Sequence, residues 1–573
     1  MHFIGLGGTD EVGASSYLYR LNNLNLLVDA GLRPTMMGEA SLPSLDLLDT
    51  HPPDLMVITH AHLDHVGALP RVKAKFPNLP VYATRATQRI ALEVLSDAVR
   101  VGEIQGAPLY DASEALRAAA DIKTLTPFEP LSFAGGQITC YPAGHVLGAV
   151  GLLIETDAGR VFHTGDFSNI ATLTTESAYL PPQPIPVDAV VSEATYGDTQ
   201  LPGRKDQISG FIEAIGQVVG RGGRVLVPTF ALGRAQELVL LLLNHQASGV
   251  LPPTPIYLDG LVRTLTNAFE ELLELLPAKL QNFVKSSGQP PLLREGVHVV
   301  KNKRERMRIA ERSEPAVILA SSGMLSGGAS PVYARHILRE VDSALFVVGY
   351  QDAESPGRRL LELQRGGEVM LPVQERDVQG FEPVPALCEV SRYYLSAHAD
   401  RGGILAHLSR YPSPRVVLMH GEGGARVALL ESLKKDRQVD LPSNGQEVDL
   451  LAETRFSKPS KTNRPAAVAP PTQADTEDAL QVRKYRHFKT DAAATVDGQR
   501  LVLEFDEEID LAHLFPEGRY RVEISKGAVT KVKLRELPGF TGGRGGSEDA
   551  ERGEDGVDGE DAEDDDSEEV SAG

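Results

Sequence analysis

Residues 55–65 read Leu55-Met-Val-Ile-Thr59-His60-Ala61-His62-Leu63-Asp64-His65. Leu55 to Thr59 are apolar or β-branched and predict a short buried strand. The strand runs directly into three imidazoles and one carboxylate within six residues. A tight turn there aims such side chains at a single point. Imidazole with carboxylate and no thiolate suits Zn²⁺, Mn²⁺ or Fe. The plain alternative is a polar turn with chance histidines, and the density of ligand types argues against it. The expected chemistry is hydrolysis assisted by two metal ions.

The same scheme recurs along the chain. Residues 24–29 are an apolar run ending at Asp29, residues 160–166 end at Asp166, and residues 186–193 end at Glu193. Residues 394–400 and 415–421 are read as strands that deliver His398 and His420. His145 lies in Pro142-Ala-Gly-His-Val-Leu-Gly148, where glycines permit close backbone approach. Sites in layered α/β folds assemble at strand ends. Taken singly, His145, Asp166 and His420 read as structural residues, and their shared placement turns the reading towards ligation. Two metal ions about 4 Å apart acidify a bridging water and neutralise charge that develops on a phosphodiester. The leaving alkoxide still needs a proton, which a histidine off the metals supplies when a carboxylate orients it. His398 and Glu193 are the candidates, and Asp64 beside the metals counts with them among the catalytic groups.

The chain has 573 residues, 42% hydrophobic, enough for several cores. Two cysteines, Cys140 and Cys388, exclude a disulfide scaffold or thiolate finger and fit a reducing compartment. No apolar run approaches the roughly 20 residues of a membrane span, and Met1 to Gly5 lack signal-peptide character, so the expected location is cytoplasmic with no membrane partner. The net charge is −21; residues 541–573 hold 14 acids and 2 arginines, −12, which leaves −9 for the rest. That balance argues against broad nonspecific nucleic-acid binding but not against a cleft whose charge is set by metals.

The first domain occupies 1–195. Strands at 224–228, 256–259, 316–320 and 344–349 alternate with helices, including an apolar one through Leu243, and define a second α/β domain at 196–394. Segment 395–455 resumes the strand-then-ligand pattern, so the middle domain is inserted into the first. Residues 456–479 form a Ser-, Lys-, Pro- and Thr-rich linker, 480–540 a small β-rich domain with a hairpin at Lys526-Gly527, and 541–573 a disordered acidic tail.

Together these motifs resemble the metallo-β-lactamase superfamily and, within it, the β-CASP ribonucleases of the ribonuclease J and cleavage-and-polyadenylation endonuclease type. The resemblance covers roughly residues 1–455. It rests on Asp29 in Leu-Val-Asp-Ala-Gly, the 60–65 cluster, His145, Asp166, Glu193 in Ser-Glu-Ala-Thr-Tyr-Gly, His398 in Ser-Ala-His-Ala-Asp, and His420. Pro228-Thr-Phe-Ala-Leu-Gly-Arg-Ala-Gln-Glu237 and Ser321-Ser-Gly-Met-Leu-Ser-Gly-Gly328 add to it.

The resemblance implies an α/β fold, an αββα sandwich interrupted by an α/β β-CASP domain. It implies two Zn²⁺ ions, with Mn²⁺ as the other candidate. His60, His62, His145 and Asp166 would hold one ion; Asp64, His65, Asp166 and His420 the other; Asp29 would orient ligands. Glu193 and His398 would protonate the leaving oxygen. Ser396, Arg234, Ser322 and Gly323 are candidate substrate contacts. Histidine at 420 accompanies RNA-processing members, so the implied partner is single-stranded RNA. Ser396-Ala-His398 looks more like the polyadenylation branch and favours endonuclease cutting. The C-terminal β domain keeps a homodimer and a 5′–3′ exonuclease mode open. A DNA-directed nuclease and a non-catalytic RNA-binding scaffold are the competing readings; scaffolds lose ligands, and every expected ligand is present. Two basic stretches, Lys301 to Arg308 and the aromatic-interleaved Arg483 to Lys489, suit RNA or a solvated face. His163, inside a strand, reads as a core residue.

Overall fold

The computed structural model describes residues 1–22, 24–375, 378–454 and 456, and the backbone of four later strands. β1 (His2–Gly7), β2 (Ser16–Leu21), β3 (Leu24–Val28), β4 (Leu55–Val57), β5 (Val81–Ala83) and β6 (Ile122–Thr124) lie side by side in one sheet. β7 (Pro130–Phe133), β8 (Gly136–Pro142), β9 (Val150–Thr156), β10 (Arg160–His163) and β11 (Ala189–Glu193) lie side by side in a second.

The chain then builds a third, all-parallel sheet. Its strands are β12 (Val225–Pro228), β13 (Ile256–Asp259), β14 (Val297–Val299), β15 (Val317–Ala320) and β16 (Ala344–Val347). After the antiparallel hairpin of β17 (Glu368–Glu375) and β18 (Val378–Pro385), β19 (Glu389–Arg392) completes it in the order β14-β13-β15-β12-β16-β19. β20 (Arg415–Met419) and β21 (Gln438–Asp440) then extend the second sheet beyond β11, and β22 (Glu447–Asp449) pairs with β1. Each of the first two sheets thus reaches seven strands only after the chain returns.

The first two sheets pack face to face, as side-chain alternation shows. Tyr17, Tyr19, Leu26, Val28, Leu55 and Val57 of the first meet Leu152, Ile154, Val161, Val191, Val417 and Met419 of the second in one buried cluster. The alternate residues Leu18, Leu27, Met56, Leu153, Val190 and Leu418 belong to the outer cluster, which includes helical Ile90, Val94, Ile404 and Leu429. Strands covered on both faces must be apolar at every position, which is why their runs read as continuous rather than alternating. This is the αββα sandwich with an inserted α/β sheet.

One local expectation is corrected. Residues 394–400 are not a strand; β19 ends at Arg392, paired with Val347 of the third sheet. Beyond it the backbone leaves that sheet for side-chain and loop partners: Tyr394 N donates to Gln207 Oε1 at 2.9 Å, and Ala399 N to the Phe167 carbonyl at 2.8 Å. His398 therefore sits on a loop between β19 and the Arg401–Leu408 helix.

In the C-terminal unit, Ala492–Asp497 pairs antiparallel with Arg500–Phe505, and Tyr520–Ile524 with Val532–Glu536, while the turn expected at Lys526-Gly527 lies outside the described residues. The linker beyond 456, the stretch Arg483 to Lys489 and the tail at 541–573 lie outside the described residues.

Leu152 is fully buried between the two sheets. Leu152→Ala is expected to destabilise the chain by about 2–5 kcal/mol through lost burial and a residual cavity, read as a lowered midpoint of urea unfolding.

Candidate metal centre and proton-donor pair

Asp29 follows β3 with φ 63 and is fully buried. Its N–H bonds the Val57 carbonyl at 2.9 Å, which pins it to the end of β4. Its carboxylate accepts from Thr59 N at 2.7 Å, Thr59 Oγ1 at 2.7 Å and His65 Nδ1 at 2.8 Å. His65 is thereby held with Nε2 turned to the cluster, 3.3 Å from Asp166 Oδ2 and 3.4 Å from His420 Nε2. A second constraint acts on the same turn: a Cβ on Gly31 would fall 1.7 Å from the Asp64 carbonyl. Only glycine allows the two chains to lie this close.

The His145 ring is aimed by a backbone carbonyl, while Thr59 Oγ1 lies 3.2 Å from His60 Nδ1 and Thr195 Oγ1 3.1 Å from His420 Nδ1. His145 Nδ1 donates to the Ala397 carbonyl at 3.0 Å, leaving Nε2 3.0 Å from His62 Nδ1. His60 Nε2 lies 3.1 Å from that same His62 nitrogen. His420 has φ 48, and its N–H bonds the Gly8 carbonyl at 2.7 Å; Tyr17 OH donates to that oxygen at 2.9 Å.

The residues present fit divalent metal ions. A tetrahedral site with bonds of about 2.0–2.1 Å needs donor separations of roughly 3.3 Å, and the nitrogens of His60, His62 and His145 approach that spacing at 3.0–3.1 Å. Donor atoms of His60, His62 and His145, of His60, His65 and Asp166, and of Asp64, His65 and His420 each gather within 4.8 Å. His62 Nε2 and Asp166 Oδ1 are buried without any hydrogen-bond partner. Burial drives His62 down to about 4, and drives His60 and His145 well below the ordinary histidine range, so these rings are neutral as ligation requires. His65 behaves oppositely: burial would lower it, but Asp166, Asp64 and Asp29 outweigh burial and raise it. Three carboxylates thus surround one imidazole, an arrangement that also suits a bound cation.

Against this cluster stands a second arrangement, whose donor atoms lie within 4.8 Å of the ligand candidates: His398 with His145 and Asp166, and Glu193 with Asp166 and His420. Glu193, fully buried at the end of β11, accepts from Phe167 N at 2.7 Å and Thr195 Oγ1 at 2.6 Å. Its carboxylate holds His398 Nδ1 at 3.0 Å. Burial would lower His398, but the Glu193 charge and hydrogen bond reverse this and bring it to about 9. The His398 ring centroid is 4.4 Å from that of His145 and 6.0 Å from that of His420. Its loop is fastened by Ser396 Oγ, which accepts His398 N at 3.0 Å, and by Arg204 Nη1, which donates to the Ser396 carbonyl at 2.9 Å.

All seven proposed ligands thus converge, with Asp29 behind them and the Glu193–His398 pair alongside. Of the four candidate substrate contacts, Ser396 lies in the cluster's own loop. Arg234 is buried and ion-paired with Glu237, which also takes Arg204. Ser322 and Gly323 lie beyond the C-terminal end of β15, where Ser322 Oγ accepts Ser326 N at 3.1 Å and the Gly323 carbonyl accepts Gln351 Nε2 at 2.9 Å. His163 is buried against Tyr19 OH at 2.8 Å, in the layer between the sheets. Thr59, Thr195 and Arg204 escaped the sequence reading. Thr59 and Thr195, each within two residues of His60 or Glu193, were detectable as hydroxyls among ligand types; Arg204 and its carbonyl partner are 192 residues apart and were not.

The metallo-beta-lactamase superfamily model matches residues 9–228, the Beta-Casp domain model residues 235–360, and the model of the Zn-dependent metallo-hydrolase RNA specificity domain residues 383–442. Endoribonuclease YSH1 of Kluyveromyces lactis is 32% identical over 448 residues, covering 76% of this chain and 57% of the relative. Transcription termination factor FttA of Thermococcus kodakarensis is 33% identical over 451 residues, covering 75% of this chain and 68% of the relative. This chain spans only 54–60% of the length of the YSH1 relatives from Kluyveromyces lactis, Eremothecium gossypii and Mycosarcoma maydis. A crystal structure of a protein of unknown function from Enterococcus faecalis V583 covers 78% of this chain and 99% of its own at 12% identity and a TM-score of 0.45. The chain belongs to the β-CASP family of the metallo-β-lactamase superfamily.

Proposed function

We propose that this chain is a ribonuclease that hydrolyses RNA phosphodiester bonds, cutting internally. The observation that carries the proposal is the Glu193–His398 pair, bonded at 3.0 Å and set against the His/Asp cluster, with His398 near His145 and Asp166 and Glu193 near Asp166 and His420. His60, His62, His145 and Asp166 would hold one ion and Asp64, His65, Asp166 and His420 the other, Zn²⁺ by donor set, with Mn²⁺ as the substitute. Bound divalent ions supply Lewis acidity towards a phosphodiester and lower the pKa of water.

The chain's own residues do the rest. Asp29 and Thr59 keep His65 in one tautomer and orientation. Glu193 fixes His398 through Nδ1 and stabilises its protonated form, so Nε2 presents a proton to the departing oxygen. Asp64 adds negative charge beside His420, 3.4 Å away. RNA rather than DNA is supported by the RNA specificity model at 383–442 and by relatives named endoribonuclease. A free binding scaffold would have no use for a buried proton donor.

Three outcomes test this. His398→Ala is expected to slow RNA cleavage by about 10²–10⁴-fold with bound metal, measured by elemental analysis, unchanged. The loss should be largely restored on RNA carrying a bridging phosphorothiolate, whose thiolate leaves without a proton; no restoration would remove His398 from that role. Asp29→Ala is expected to weaken metal affinity by about 10–100-fold, read by competition with a chromogenic chelator. On matched single strands, the metal-loaded chain should give internal fragments from RNA labelled at either end and leave DNA intact; equal cutting of DNA would replace RNA by the broader substrate.

A further inference from the structure

We propose that the corner between β14 and the Lys303–Ala310 helix is a second contact surface for single-stranded RNA, set apart from the metal centre. It would hold the strand beyond the cut. The inference rests on the ribonuclease reading above and extends it to substrate length.

Residues 301–312, Lys-Asn-Lys-Arg-Glu-Arg-Met-Arg-Ile-Ala-Glu-Arg, hold six cations and two acids in a chain of net charge −21. The helix is rotated by a buried tether. Arg306 makes two bonds to Asp259, at 2.6 and 2.8 Å, and Tyr333 OH donates to the same carboxylate at 2.8 Å. Arg306, Ile309 and Ala310 stand at i, i+3 and i+4, so they share the inward face. Arg304 and Arg308, also four apart, are turned to solvent with Lys301 and Lys303. The nearest acid is diverted: Glu305 Oε2 accepts Lys301 N at 2.7 Å, while Asn302 caps the helix through Glu305 N at 3.0 Å. Among the described residues, none of Lys301, Lys303, Arg304 and Arg308 is ion-paired. Arg263 adds a fifth cation, donating to the Val300 and Lys301 carbonyls at 3.2 and 3.1 Å.

The corner lies on the side of the third sheet that faces the centre. In parallel sheets, ligands bind at the carboxyl ends of strands. Three such ends touch the centre's surroundings. The loop after β12 brings Gly233 so close to Val146, the neighbour of His145, that a Cβ would be 2.7 Å from it. The loop after β16 places Tyr350 OH 2.6 Å from Glu422, two residues past His420. The segment after β19 carries His398. β14 ends on the same side but at the outer edge, three strand steps from β12, the nearest of these ends, or about 14 Å at roughly 4.8 Å per step. A row of unpaired cations at that distance suits a flexible polyanion that already has one phosphodiester in the cleft. A solvated helix face is what the test must exclude.

The test is a quadruple variant of the full chain, Lys301→Ala, Lys303→Ala, Arg304→Ala and Arg308→Ala, with fluorescently labelled polyuridylate as probe. Fluorescence anisotropy should show long polyuridylate bound roughly tenfold or more weakly at low salt, and the slope of log affinity against log salt should flatten by about 3, at about 0.7 per phosphate on a single strand. Cleavage of a short oligonucleotide that fills only the cleft should be unchanged, while KM for long RNA rises. Equal binding of the long strand by both proteins, with equal salt slopes, would overturn the second surface. If the unaltered chain cleaves neither substrate, the ribonuclease reading fails, and the binding comparison still decides the surface.

Discussion

The buried carboxylate of Asp29 is the joint on which the centre depends. An ionised carboxylate taken out of water costs several kcal/mol unless its lone pairs are filled, and here three donors fill them: Thr59 N, Thr59 Oγ1 and His65 Nδ1. The same bonds join the end of β3 to the end of β4 and set the orientation of the first metal-ligating turn. Removing the carboxylate would release His65 and leave two donors unsatisfied in the core.

A comparable logic governs the opposite wall. Glu193 is as deeply buried as Asp29 and is likewise satisfied by a backbone N–H, a threonine hydroxyl and an imidazole. Thr195 Oγ1 also lies 3.1 Å from His420 Nδ1, so the proton-donor pair and the metal cluster share one hydroxyl. The two carboxylates thus perform parallel tasks on different histidines. One holds His65 with Nε2 facing the His/Asp cluster, and the other holds His398 through Nδ1.

The third sheet brings its strand ends over this centre. Its grip on the sandwich joins one continuous buried apolar cluster, in which Ile90, Val94 and Val146 meet Leu238, Leu265 and Phe269 of the helices that follow β12 and β13, to polar bonds: Arg204 on the Ser396 carbonyl, Tyr350 on Glu422, and Arg89 with Glu271 at 2.7 Å.

Much of this was legible in the sequence. The apolar runs that end in Asp29, His60, Asp166, Glu193 and His420 are local facts of composition, and a strand buried on both faces must be apolar throughout. The ligand types and their order along the chain therefore named the centre before any fold was known. The sequence by itself also marked the insertion, because strand-then-ligand texture stops and later resumes. What it could not decide was anything that depends on partners far apart in the chain. His398 sits on a loop rather than a strand end, because its neighbours hydrogen-bond to Phe167, Gln207 and Arg204 and not to an adjacent strand. Arg234, a candidate substrate contact by resemblance, has its charge occupied by Glu237 one turn on. The direction of the basic helix is set by Asp259, more than 40 positions earlier. Local pattern states which groups are available, and only the tertiary structure decides which of them face one another, because burial and pairing are properties of the packed chain.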